Sequence, residues 1–177
     1  MRKSTILFLA LLLPVLIFLF LRFFGKNEFS IPVYYEKEVE NQPTGCDGAY
    51  EFPYRIPQAS SVPIQGVTVV FFGAGQEGHQ LEESIFQLQR LQNLSFSKAI
   101  NTVWVDCYNQ NIAELNNSLV IMDSLSYNQE KNCNFLMQSN TMVLVDSVRR
   151  IRGYYKEASL KETDRLIMEL KILFNNY

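Results

Sequence analysis

From residue 66 onward, apolar positions recur with two different periods. Val67–Phe72 (VTVVFF) is a continuous run of β-branched and aromatic residues, the pattern of a buried strand. Leu81, Ile85, Leu88 and Leu91 then recur at helical spacing, with Glu82, Glu83, Gln87 and Arg90 on the other faces, which predicts an amphipathic helix over 81–91. A second strand is predicted at 102–105 (TVWV), ending in Asp106 and Cys107, and a third at 119–122 (LVIM), with a short helix at 112–115 between them. Residues 123–137 are polar and show no clear period. Met142–Val145 and Ile151–Tyr155 bracket a short turn and read as a hairpin. Ser159 stands three residues before Glu162, a capping-box spacing, and Leu166, Ile167, Leu170, Leu173 and Phe174 make one apolar helical face. The order βαβαβ, then ββα, predicts an α/β sandwich of the thioredoxin-like kind.

The first 65 residues follow neither pattern. After a tail at 1–5, residues 6–24 carry Arg22 as their only charge. As a helix this run rises about 28 Å, close to the hydrocarbon thickness of a bilayer, and Arg22 sits where its stem can snorkel. No small-x-small cleavage site follows, so the run reads as an uncleaved single-pass transmembrane anchor. The flanking charges favour a cytoplasmic N-terminus only weakly; a signal anchor with the domain outside is the orientation expected. Residues 25–65 hold five of the six prolines and aromatics at Tyr34, Tyr35, Tyr50, Phe52 and Tyr54. Proline at this density argues against helix, and the aromatics argue against a free linker, so this lead-in is expected along the surface of the domain formed by 66–177.

Composition narrows the function. The 177 residues carry a net charge of −2, with Lys and Arg scattered, and no basic stripe alternates with aromatics; nucleic acid is not an expected partner. The three cysteines, Cys46, Cys107 and Cys133, are too widely spaced for a zinc site or a disulfide scaffold, and no CxxC or CxxxC occurs. At least one thiol is free or pairs between molecules; a Cys107–Cys133 bridge is open to the chain in an oxidising compartment.

The stretch from Met142 to Tyr155 (MVLVDSVRRIRGYY) resembles the late hairpin of the SCO/SenC family, membrane-anchored thioredoxin-fold proteins that help metallate the CuA centre of cytochrome c oxidase. The helix that follows (ETDRLIMELKILF, from Glu162), the N-terminal anchor, Phe24-Gly25-Lys26 and Ile31-Pro32-Val33-Tyr34-Tyr35 are also similar to that family. The family places a CxxxC after the first core strand and a histidine before the late hairpin, a set suited to copper. Here the two cysteine positions fall on Glu77 and Leu81, and the histidine position on Gln138. Asp106 matches the family's Asp at the end of the second core strand. The family's turn glycine is replaced by Arg149; a non-glycine residue at positive φ costs about 1 kcal/mol, so a turn of different form is expected. No proline follows Pro63, so the cis-proline clamp of thioredoxins is absent, and thiol-disulfide exchange has no apparatus in the family's place.

The resemblance therefore implies a non-enzymatic protein with a degenerate active site and no resident cofactor, a partner-binding or scaffold protein for a respiratory oxidase subunit or assembly factor. A second reading is a copper(I) carrier with a relocated site at Cys107 and Cys133, helped by Met137 or His79; a third is a thiol-disulfide reductase. Each residue also has a plainer reading. His79, the only histidine, suits a solvated loop, and the cysteines suit a structural disulfide or buried thiols. Gly73-x-Gly75-x-x-Gly78 fits the glycine positions of a dinucleotide loop if a helix opens at Gly78 and Asp106 supplies the acid, or marks a flexible turn. Arg149, Arg150 and Arg152 read as a solvated hairpin edge or a contact for an acidic partner.

Overall fold

Five strands form one mixed sheet in the order β3-β2-β1-β4-β5: β1 (Val67–Phe72), β2 (Ile100–Asp106), β3 (Leu119–Ile121), β4 (Met142–Val145) and β5 (Ile151–Tyr155). β1 and β2 are parallel, as are β2 and β3, whereas β4 is antiparallel to both β1 and β5. The helices are α1 (Lys3–Phe24), α2 (Gly78–Asn93), α3 (Ser124–Gln129) and α4 (Leu160–Asn175), and a π-helical turn at Glu130–Asn134 continues α3. This computed structural model describes residues 3–24, 30–39, 43, 45–46, 50–96, 98–107, 119–137, 139 and 141–175. The short helix expected at 112–115 lies outside them.

The chain forms two compact units, Met1–Ser30 and Ile31–Tyr177. In the first, α1 is helical over 22 residues, with Leu11–Phe20 exposed. Among the described residues no helix is long and apolar enough to cross a membrane.

In the second unit, strand alternation sorts the apolar residues into two cores. Val69, Phe71, Trp104, Met142, Leu144 and Tyr155 face Leu88 and Leu91 of α2 and Leu166, Leu170 and Leu173 of α4. Val70, Phe72, Val103, Val105, Val143, Val145 and Ile151 face the other way. Among the described residues no long helix covers that side. It is closed by Tyr54, Ile56 and Val62 of the lead-in and by Tyr127, Phe135, Leu136 and Met137 around α3 and the π turn. The lead-in thus goes deeper than the surface position its prolines suggest: Ile56 and Val62 are each 1% exposed. Its Phe52–Pro53 bond is cis.

Residues 123–137, which show no period in sequence, are ordered by polar groups. Asp123 caps α3 by accepting from the N–H groups of Leu125 and Ser126, both at 3.0 Å. The Ser126 hydroxyl, which donates to the same carboxylate at 2.6 Å, and these N–H groups hold it below the usual carboxylate range. Glu130 is buried, and its carboxylate accepts from Ser60 Oγ (2.8 Å), Ser61 N (2.7 Å) and Asn134 Nδ2 (2.9 Å). A buried carboxylate with three donors is satisfied without an ion pair. Hydrophobic periodicity is silent here because the buried contacts are partly polar.

Two terminal features differ from expectation. α2 opens at Gly78, so His79 lies in its first turn rather than in the loop. The Glu162 carboxylate accepts from Lys156 N (3.4 Å) and pairs with Arg165 instead of closing a capping box on Ser159.

Candidate functional site

The C-terminal ends of β1 and β2 carry the segment where the sequence resemblance would put chemistry. Gly73 follows β1, and its N–H donates to Val105 O on β2 at 3.0 Å. A Cβ on Gly73 would stand 2.2 Å from the Trp104 ring, so the glycine is required by the indole packed on it. Trp104 Nε1 in turn donates to Asp106 Oδ2 at 3.2 Å, and Asp106 is 1% exposed. Ala74 N donates to the hydroxyl of Tyr127 at 3.3 Å, tying the loop to α3. Burial raises the Tyr127 phenol above its ordinary range, with the Asp106 and Cys107 charges adding to that effect. Gln76 is buried with neither end of its carboxamide bonded, and sequence gave no sign of this.

The dinucleotide reading fares poorly on this geometry. The helix does open at Gly78. But Gly73 serves the indole, Asp106 is committed inward, and β4 runs antiparallel to β1, unlike the parallel sheet of that fold.

The predicted ligand positions separate. Glu77 is exposed at the N-cap of α2 and makes no side-chain cap. Leu81 is half-buried against the α2–α4 core. Gln138 lies outside the described residues. His79 is exposed, and Met137 is 1% exposed in the second core. Cys107, half-buried, is a free thiol. Cys133 is bonded to Cys46, not to Cys107. A disulfide sulfur has no thiolate to offer a soft metal, so in this form Cys107 and Cys133 do not make a paired site. Among the described residues no three of His, Cys, Asp or Glu come together as metal ligands would.

The bridge itself forms a second focus. It joins the lead-in to the π turn across 87 residues. Tyr54 Oη donates to Asn134 O at 2.6 Å, and Tyr50 Oη to Cys133 O at 3.4 Å. The two rings stand edge to face, 5.4 Å apart. Burial raises both phenols above their ordinary range. Beside the bridge lies a cleft of about 650 Å³, lined by both cysteines, Tyr50, Phe52, Pro53 and Arg55.

The arginine cluster is not a solvated edge. Asp146, 1% exposed, accepts from Arg150 Nε at 2.9 Å and pairs with Arg152 at 3.3 Å. Arg152, the extra residue of a bulge between β4 and β5, also donates to Ile31 O at 2.8 Å. Arg149 keeps a left-handed backbone, φ 66°, so the turn retains the conformation expected of glycine. Its guanidinium donates to Ile56 O (2.7 Å) and Pro57 O (2.5 Å). Sequence could not reveal these acceptors, which are carbonyls more than 90 residues away.

Compared with protein-family models and with curated proteins, the chain matches none.

Proposed function

We propose that this chain is a membrane-anchored, extracytoplasmic protein of SCO/SenC type and thioredoxin-like topology, a non-catalytic partner-binding or scaffold protein in cytochrome c oxidase assembly or copper handling. The observation that carries the reading is the end of β1. Where that family keeps a thiol pair, this chain has an exposed carboxylate, Glu77, and a core-packed leucine, Leu81. The strand directions support the topology: parallel β2 and β1 beside antiparallel β4 and β5, with α2 and α4 packed on one face. The anchor rests on the apolar run at 6–24 of the sequence. The Cys46–Cys133 bridge suits an oxidising compartment. The link to the oxidase rests on the sequence resemblance alone.

The test combines two measurements on the full chain in mild detergent. Copper(I) is offered in competition with a chelator of nanomolar affinity, and the tagged chain is purified from its own membranes. A scaffold takes no stoichiometric copper and brings down an oxidase subunit or assembly factor, equally well as the Cys107→Ser variant. Stoichiometric copper that disappears in Cys107→Ser would replace the scaffold with a carrier. Purification without any oxidase component would remove the pathway assignment.

A further inference from the structure

We propose that the pocket between the lead-in and α3 is a binding site for a primary ammonium group, with the Glu130 carboxylate as its counter-charge. This goes beyond the scaffold reading and uses none of the positions on which that reading rests.

Glu130 is the first residue of the π turn and is 5% exposed. Its carboxylate makes no ion pair with any described residue. Its three donors, Ser60 Oγ, Ser61 N and Asn134 Nδ2, are neutral. They fill lone pairs and leave the charge in place. A charge taken out of water is costly unless an opposite charge stands beside it. A pocket of about 320 Å³ opens on this carboxylate, lined by Ala59, Ser61, Ser126, Gln129 and Asn134 as well as Glu130. That volume is at the lower end of those that hold a ligand. The walls come from two short runs of chain, 57–61 and 126–134, and Ala59, Ser61 and Gln129 are exposed.

The polar atoms of the walls set the class of ligand. Their donors are engaged by carboxylates: Ser61 N and Asn134 Nδ2 on Glu130, and the Ser126 hydroxyl on Asp123 Oδ2 at 2.6 Å. What remains is acceptors: the lone pairs of Ser126 Oγ, the Asn134 carboxamide oxygen and one site on Glu130. A primary ammonium complements this set, with three donors, no acceptor and one positive charge. A guanidinium complements it less well. Its two-pronged contact needs an open site on each carboxylate oxygen, and Oε2 already accepts from both Ser60 and Asn134, while Oε1 accepts from Ser61 alone. A hard divalent cation calls for about six oxygens and more negative charge than one carboxylate supplies. Among the described residues no three metal-ligating side chains come together. The ammonium chemistry is common to a lysine side chain of a polypeptide and to a free alkylamine.

The experiment titrates small probes into the full chain in mild detergent at low salt and reads dissociation constants by ligand-observed NMR. The probes are n-butylammonium, its neutral counterpart n-butanol, n-propylguanidinium and N-acetyl-lysine methylamide. Saturable binding of n-butylammonium is expected, at least tenfold tighter than n-butanol and at least threefold tighter than n-propylguanidinium. These comparisons use the native chain and need no variant to fold. Glu130→Gln is expected to weaken n-butylammonium at least tenfold, with a thermal melting curve to establish its fold. Ala59→Lys, at an exposed position on the wall, is expected to supply the ammonium from within the chain and to weaken the probe as much. N-acetyl-lysine methylamide binding more tightly than n-butylammonium would support the site and make a polypeptide the source of the ammonium; equal affinity would support the site and make a free amine the source. Equal affinity for n-butylammonium and n-butanol would overturn the proposal, and so would n-butylammonium binding that persists unchanged in both a folded Glu130→Gln and Ala59→Lys. None of these results touches the scaffold reading, which stands or falls on copper binding and co-purification.

Discussion

Arg149 joins a backbone conformation to a long-range contact in a single residue. Its φ of 66° is one that glycine adopts freely and other residues adopt at a cost of about 1–2 kcal/mol. The two bonds from its guanidinium to Ile56 O and Pro57 O offset that cost, since hydrogen bonds from a charged group contribute about 1.5–3 kcal/mol. Arg149→Ala keeps the strain and loses both bonds; Arg149→Gly loses the bonds and relieves the strain. Both are expected to unfold at lower urea than the native chain, with the glycine variant about 1 kcal/mol more stable than the alanine one. Equal stabilities would mean that the turn leaves the left-handed region once the guanidinium is gone. The substitution of the turn glycine is visible in the sequence. The compensation is not, because it depends on where the lead-in passes.

At the scale of elements, the β1–α2 junction is governed by packing. Gly73 leaves room for the Trp104 indole, and that indole donates to the buried Asp106. Gly73→Ala drives a methyl group to 2.2 Å from the ring, which neither strand can escape without shifting. The expected outcome is a loss of about 3 kcal/mol or more in urea unfolding, at the upper end of overpacking costs, together with a changed near-ultraviolet signal from the chain's only tryptophan. Wild-type stability in this variant would mean that the indole moves freely. The strands β1, β4 and β5 and the helix α4 were legible from periodicity alone. α3 and the π turn were not, because Asp123 and Glu130 order them through hydrogen bonds that carry no hydrophobic period.

At the scale of the whole molecule, the lead-in takes the place of a helical layer, and the disulfide and the tyrosines hold it there. The chain-entropy estimate for a bridge across 87 residues is about 4–5 kcal/mol. Cys46→Ser with Cys133→Ser is expected to lose up to that amount, and Cys107→Ser less than about 1 kcal/mol, in parallel urea titrations. Tyrosines buried on both faces of the sheet set the alkaline limit. Burial raises the phenols of Tyr54, Tyr127, Tyr154 and Tyr155, and for Tyr154 a hydrogen bond with Tyr35 adds to the shift. Unfolded tyrosines ionise near pH 10. Above that pH the unfolded chain releases protons that the folded one keeps. Stability is therefore full below about pH 10 and falls as pH rises toward the folded values, by up to about 1.4 kcal/mol per pH unit for each tyrosine. Tyr154→Phe is expected to flatten this fall, and an unchanged slope would assign it to the other phenols.

The sequence by itself determined the mixed α/β class, four of the strands nearly to the residue, the terminal helix, and the lack of a thiol pair after β1. These are local properties: side-chain period, branching at Cβ and the identity of single residues. Tertiary structure alone decided that Cys133 bonds Cys46, that the three arginines are committed to Asp146 and to lead-in carbonyls, and that the lead-in enters the core. Each of these is a contact between residues far apart in the chain. Such a contact leaves no period to read, because it is chosen by which surfaces remain uncovered once the sheet has formed.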